Sequence, residues 1–163
     1  MEPRFVIKNH SDINYVIGYL NTNHAKAASE GKPLVVLIAP QEKDRSKAQN
    51  RLYWMWLNQW AKRQGTDKDY EHLFFKKNFL SKIYDRDDVG QYKKTFKAVR
   101  ELKDSKHPAY QQVADGLCEL MSTTDASTAQ FTEYLNDIHA FCLKQGCYLE
   151  TPDDLKWCYD QPL

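Results

Sequence analysis

The chain has 163 residues, of which 42% are hydrophobic and 28% charged, a composition that excludes a disordered protein and is typical of a globular one. Its longest apolar run, residues 34–39, is far too short to span a bilayer. No basic-then-apolar export signal opens the chain, so we expect a cytoplasmic protein with no membrane attachment. The four cysteines form no Cys-x-x-Cys pair, and we expect reduced thiols.

Charge is distributed unevenly along the chain, although the net charge is only +1. Residues 1–106 hold 21 Lys and Arg against 13 Asp and Glu, a net charge of +8. Residues 107–163 hold 2 against 9, a net charge of −7. Such an asymmetry indicates a nucleic-acid partner. The alternative is a solvated surface whose two parts differ in sign.

The first 40 residues predict a β-α-β unit. Residues 4–8 have the pattern of a short strand. A helix capped by Ser11 is predicted for residues 11–28, with one apolar face. The apolar, β-branched run 34–39 predicts a buried strand, which would pair in parallel with the first.

A long aromatic helix is predicted to begin near Asp44, and Ser46 with Gln49 has the spacing of a capping box. Helical periodicity places Asn50 within the apolar arc and Gln49 beside it, so both amides should point inward. Arg51 lies on the opposite, exposed side, and Trp54 flanks the apolar face. The predicted apolar face consists of Tyr53, Trp56, Leu57, Trp60 and Ala61.

Further helices are predicted over residues 67–84, 88–103 and 109–114, followed by a strand at 116–122. The inner face of the first of these should include Tyr70 and Leu80. Ser127 with Gln130 forms a second capping box, whose helix should run to Lys144 and be closed by Gly146. A short helix should begin near Pro152.

Residues 76–106 form the most basic stretch, with 10 Lys and Arg against 5 Asp and Glu. Lys93, Lys97 and Arg100 are spaced by four and three residues, so they share one side of a helix. Such a stripe can follow a phosphate backbone, because each neutralised phosphate releases a counterion. The alternative is a lysine-rich helix face that only contacts solvent.

No motif in the sequence indicates catalysis. There is no glycine-rich phosphate loop, nucleophile elbow or paired-histidine metal motif. His139, Cys142 and Cys147 lack a fourth ligand with recognisable spacing, so a structural zinc site is not favoured. We therefore expect a protein that is not an enzyme and needs no cofactor or metal.

The start of the aromatic helix carries the pattern Arg-Ser-x-x-Gln-Asn-Arg-x-x-Trp. Its residues are Arg45, Ser46, Gln49, Asn50, Arg51 and Trp54. This pattern resembles the NinB (Orf) family of phage recombination mediators. A weaker similarity follows at Ser122-Thr123, Ser127, Phe131 and Gly146. The resemblance implies a non-enzymatic phage or prophage protein that binds single-stranded DNA as a homodimer and contacts the host single-strand-binding protein.

Together these features predict an α+β fold, in which a small N-terminal β-α-β sheet precedes a mostly helical remainder. We expect one domain over residues 1–163, with parts at 1–64, 65–115 (basic) and 116–163 (acidic). The predicted function is sequence-independent single-stranded DNA binding in recombination. The alternatives are an adaptor that contacts only protein and a metal-dependent nuclease. The candidate DNA-binding residues are Arg45, Arg51, Trp54, Lys76, Lys77, Lys93, Lys94, Lys97 and Arg100. The candidate structural residues are Ser46, Gln49 and Asn50.

Overall fold

The computed structural model describes residues 3–38 and 45–160, with side chains of the second range described from residue 47. Every regular element within these residues is helical. The α-helices are α1 (Ile13–Ser29), α2 (Arg45–Gln64), α3 (Lys68–Phe75), α4 (Ser81–Arg86), α5 (Lys93–Asp104), α6 (Tyr110–Leu120) and α7 (Thr128–Lys144). A π-helical segment (Lys76–Leu80) joins α3 to α4, and 3₁₀ turns lie at His10–Asp12, Thr123–Asp125 and Asp153–Cys158.

The predicted α+β class is wrong for the described part of the chain. Residues 4–8 and 34–38 have no regular secondary structure, and Ala39 lies outside the described residues. β-branched side chains favour a strand only where a neighbouring strand and a core face receive them. Within residues 3–38 there is no strand, and no side chain is buried, so neither requirement is met.

The predicted N-terminal helix is confirmed as α1, but its cap is not Ser11. Asn9 Oδ1 accepts a hydrogen bond from the Ser11 amide at 3.0 Å, and Asp12 Oδ2 accepts one from the Asn9 amide at 3.0 Å. This capping box begins the 3₁₀ turn His10–Asp12, which leads directly into α1. The helix therefore starts two residues later than the sequence predicts.

Helix α2 forms the centre of the core, as its periodicity predicts. All five residues of its predicted apolar face are buried. It packs against α3, α7 and the C-terminal turn Asp153–Cys158. The inward position predicted for Asn50 is wrong, because Asn50 is exposed, while Ala48, Gln49 and Leu52 are buried. The apolar arc is thus rotated away from Asn50.

The predicted helix over 67–84 is present, but the π-helical segment shifts its inner face. Phe75 and Leu80 are both fully buried although they are five residues apart, a spacing that a π-helical turn permits. Lys76 turns inward with them, and Tyr70, predicted to be inside, is 61% exposed. A prediction that assumes a constant number of residues per helical turn cannot account for the wider turn of a π-helix.

The strand predicted at 116–122 is also wrong, because α6 continues to Leu120. Leu117, Cys118 and Met121 are the buried side chains of this stretch, and their spacing is that of a helix face. The predicted helix over 88–103 is confirmed as α5 but begins only at Lys93. It packs against α4 and α6.

The second predicted capping box is confirmed at the start of α7. Ser127 Oγ accepts from the Gln130 amide at 3.1 Å, and Gln130 Oε1 accepts from the Ser127 amide at 2.9 Å. Gly146 follows α7 with φ +71°, a left-handed conformation that favours glycine. The short helix predicted near Pro152 is the 3₁₀ turn Asp153–Cys158. Within residues 3–38 and 45–160, no helix has both the length and the apolar character that a membrane span requires.

Candidate nucleic-acid interface

Helix α5 presents the clearest basic face of the described chain. Phe96 is buried on its inner side, and Tyr92 is buried at its N-cap. Its outward residues Lys93, Lys94 and Lys97 are exposed, as is Arg100. The predicted placement of Lys93, Lys97 and Arg100 on one exposed side of a helix is therefore confirmed. We call Lys93, Lys94, Lys97 and Arg100 the α5 face.

Acidic side chains neutralise part of the α5 face. Lys93 Nζ lies 3.1 Å from Asp88 Oδ2, and Arg100 pairs with Asp85 of α4. Exposed ion pairs of this kind stabilise a protein by only ~0–1 kcal/mol, so a phosphate can displace the carboxylate. Lys94 and Lys97 form no ion pair with any described residue. Within the α5 face, these two ammonium groups have no carboxylate of a described residue at ion-pair distance.

Lys76 and Lys77 occupy different environments. Lys76 is 4% exposed, and its Nζ donates a hydrogen bond to the Glu119 carbonyl oxygen at 3.1 Å, at the C-terminal end of α6. Burial lowers the pKa of Lys76. This ammonium is hydrogen-bonded to a helix end and turned away from solvent, so the prediction that Lys76 contacts DNA is not supported by its position. Lys77 is exposed and pairs with Asp115 of α6.

Arg51 belongs to a second group of charges, at the C-terminal turn. Its Nη2 lies 2.6 Å from Asp154 Oδ2, and Arg4 Nη1 lies 2.7 Å from the same oxygen. The acid partners of Arg100 and Lys77 lie instead on α4 and α6. The contacts therefore divide the candidate cations between two regions of the fold. The side chain of Arg45 is not among those that the structure describes.

Trp54 is half-buried at the edge of the core. Its ring stacks on His72, with ring centroids 4.9 Å apart and an interplanar angle of 27°. Lys68 Nζ lies 5.7 Å from the centroid of the Trp54 ring, within cation–π range. His72 Nδ1 lies 2.7 Å from the Tyr53 hydroxyl oxygen. Burial, followed by the charge of Lys76, lowers the pKa of His72 to about 4, so its ring is neutral at pH 7.

Gln49 points inward, as its position on the helical wheel predicts, and contacts two other elements. It is 1% exposed, and its Nε2 donates to Thr132 Oγ1 at 2.8 Å, to the Cys158 carbonyl at 3.1 Å and to the Thr128 carbonyl at 3.2 Å. One amide thus joins α2, the first turns of α7 and the C-terminal turn. The predicted capping box requires the side chain of Ser46, and the described side chains begin only at residue 47.

The zinc site considered for His139, Cys142 and Cys147 gains no support from the geometry. Among the described residues, no group of three His, Cys, Asp or Glu side chains is arranged to hold a metal ion. His139 and Cys142 are buried. Burial raises the pKa of Cys142 to about 12, so its thiol is protonated at neutral pH.

Sequence reasoning located the cations but missed their acid partners. The Lys77–Asp115 and Arg51–Asp154 pairs join residues 38 and 103 positions apart, and only the fold brings them together. A local signal existed for Lys93, since Asp88 precedes it by five residues.

No family model, no curated protein and no solved structure matches this chain. The resemblance to NinB thus depends on the quoted motif residues.

Proposed function

We propose that this protein binds single-stranded DNA without sequence preference, through phosphate contacts to the α5 face. The observation that carries the proposal is the pair Lys94 and Lys97. Both are exposed, they are three residues apart on one helix, and neither has an acidic partner among the described residues. Ammonium groups placed in this way attract consecutive phosphates but read no base, so sequence preference should be small.

Lys93 and Arg100 extend the same face, once DNA phosphates replace Asp88 and Asp85 as their partners. Exchange of one anion for another costs little at these exposed positions. A half-buried ring such as Trp54 could add stacking, but His72 already stacks on that ring. The proposal therefore assigns the main contribution to phosphates and not to aromatic stacking.

The resemblance to NinB supports a single strand as the ligand and a role as a recombination mediator for phage or prophage DNA. In this role the protein is not an enzyme, and it acts in the cytoplasm of the host, where the DNA is. Contact with the host single-strand-binding protein is part of the same proposal. Incubation of labelled strands with magnesium or manganese tests its non-enzymatic part, because cleavage products that disappear on chelation would indicate a nuclease.

Fluorescence anisotropy of a labelled oligo-dT, measured from about 50 to 200 mM salt, tests the binding itself. Each phosphate contact with single-stranded DNA contributes ~0.7 to the slope of log K against log salt. The double variant Lys94→Gln/Lys97→Gln should therefore reduce the slope by ~1.4 and weaken binding roughly 25-fold at 0.1 M salt.

The matched control is Lys62→Gln/Lys144→Gln, which removes two exposed lysine charges from α2 and α7. It should leave the slope within a few tenths of the wild-type value. Equal effects of the two double variants would show that only net charge matters and would refute the α5 face. Absence of binding at every salt concentration would favour the adaptor.

A further inference from the structure

Two of the four cysteines lie together at the end of α7. Cys142 is in the last turns of the helix, and Cys147 follows the left-handed Gly146. The Cys147 amide donates to the Cys142 carbonyl oxygen at 2.8 Å, and the Gly146 amide donates to the Leu143 carbonyl oxygen at 2.9 Å. These two hydrogen bonds form a Schellman motif, in which the side chains at the positions of Cys142 and Cys147 commonly pack together.

The backbone of this motif holds the two cysteines within the range of a disulfide. Standard bond lengths on either side of the Cys147–Cys142 hydrogen bond keep the two Cα atoms within ~6.7 Å of each other. Disulfides join residues whose Cα atoms are roughly 4.4–6.8 Å apart. Both side chains also lie in the same cluster of buried residues. Rotation of the two side chains can therefore bring the sulfur atoms together while α7 keeps its position.

We propose that Cys142 and Cys147 form a reversible disulfide when a small-molecule disulfide, such as oxidised glutathione, is present. The structure shows the reduced state of this pair. The pair lies at the end of α7, whereas the α5 face belongs to a helix that packs against α4 and α6. The inference therefore stands independently of DNA binding.

Cys147 should react first, because the oxidant reaches it more easily. It is 7% exposed and lies outside the helix, between the exposed residues Gly146 and Tyr148, so a small local opening uncovers its thiol. Cys142 is 0% exposed and lies within α7. The order of the two steps follows from this difference in access.

The reaction is a pair of thiol–disulfide exchanges. The Cys147 thiolate attacks one sulfur of oxidised glutathione, forms a mixed disulfide and expels one glutathione. Cys142 then loses its proton, attacks the Cys147 sulfur and expels the second glutathione. The two protein thiols lose two electrons and two protons, and the oxidised glutathione becomes two molecules of reduced glutathione.

The bond should be easily reduced, because it closes a loop of only six residues, 142–147. The stabilisation that a disulfide gains from chain entropy is smallest for such short loops. The pair should therefore be reduced in a reducing cytosol and oxidised only when the ratio of glutathione disulfide to glutathione rises.

Peptide mapping of the whole folded chain after incubation with oxidised glutathione tests the proposal. Free thiols are blocked first, and trypsin with a protease that cleaves after Glu then places Cys142 on residues 134–144 and Cys147 on residues 145–150. Mass spectrometry should show these two peptides linked, and dithiothreitol should separate them. Free thiols counted after unfolding should fall from four to two.

Three results would overturn the proposal. They are four free thiols after the incubation, a link that involves Cys118 or Cys158, and a glutathione that stays on Cys147 without closure of the loop. The digestion places Cys118 and Cys158 on peptides of their own, so each result is distinguishable from the expected one.

Single variants test the order of the steps. Cys142→Ser should keep one glutathione on Cys147, because no second thiol displaces it, and Cys147→Ser should leave Cys142 reduced. The control Cys118→Ser, which changes a buried thiol of α6, should give the same linked peptides as the wild-type chain. Uptake of glutathione by Cys142 in Cys147→Ser chains, at the level of Cys147 in Cys142→Ser chains, would refute Cys147 as the first thiol to react. The wild-type peptide map tests the bond itself without any variant.

Discussion

Gln49→Glu replaces a buried amide with a carboxylate of nearly the same shape, and we expect it to destabilise the fold strongly. The amide donates to three oxygen atoms that belong to Thr128, Thr132 and Cys158. A carboxylate has no N–H group, so its negative charge would face the carbonyl oxygens of Thr128 and Cys158, and only the Thr132 hydroxyl could turn to donate to it. No basic side chain hydrogen-bonds to Gln49 among the described residues.

The expected loss follows from two contributions. Two donated N–H groups stabilise the fold by ~1 kcal/mol each. Leaving a buried charge without a partner raises the total cost to ~3–5 kcal/mol, a large part of the ~5–15 kcal/mol of a typical domain. For a chain of this size, a loss of 3–5 kcal/mol lowers the Tm by ~6–20 °C.

Urea unfolding followed by circular dichroism at pH 7 and near pH 4.5 measures this loss. Burial would raise the pKa of the new carboxyl, so the folded state keeps its proton to higher pH than the unfolded state does. The deficit should therefore be smallest in acid and grow as pH rises above the ordinary Glu pKa of ~4.3. The exposed control Gln112→Glu should change the free energy of unfolding by less than ~0.5 kcal/mol. A Gln49→Glu variant as stable as that control at pH 7 would refute this account of Gln49.

Two further predictions concern the α2–α3 region. Glu71 is buried and accepts from Trp60 Nε1 at 2.9 Å and from Thr66 Oγ1 at 2.6 Å, so Glu71→Ala should lower the free energy of unfolding by ~2–3 kcal/mol. Glu71→Gln should lower the free energy of unfolding by less, because its amide can accept from the Trp60 indole and donate to the Thr66 hydroxyl. Equal losses for the two variants in urea unfolding would contradict these roles. His72 should titrate near pH 4 by NMR. Its neutral ring should therefore stabilise the fold fully above pH 6.5, and this stabilisation should be lost as the pH falls from 6.5 towards 4. A measured pKa of 6.5 or higher would show that the ring is not buried beside Tyr53.

Local sequence signals predicted the helical core well. The capping box of Ser127 and Gln130 set the start of α7, and the step of three and four residues identified the buried face of α2. Both signals act within one or two helical turns. The strands predicted at 4–8 and 34–39 failed because a strand needs a partner that local propensity cannot supply.

The candidate site was harder to predict, because exposure and ion pairing depend on the tertiary fold. Lys76 looks from the sequence like any surface lysine, yet the π-helical segment turns it towards the end of α6. Arg51 lies on the side of α2 that the wheel assigns to solvent, yet Asp154 is bound to it. The α5 face, whose helix has a simple inner and outer side, is exposed, and so is Lys77, although Asp115 is paired with it.

The position of the DNA on the protein is the most direct test of the proposed function. Amide chemical shifts of the whole chain, recorded while oligo-dT is added at low salt, report which residues the strand approaches. We predict that the largest changes fall within residues 93–104, and that residues 153–158 beside Arg51 change little. Changes centred on the C-terminal turn, or none at concentrations that saturate binding, would contradict a phosphate-binding α5 face.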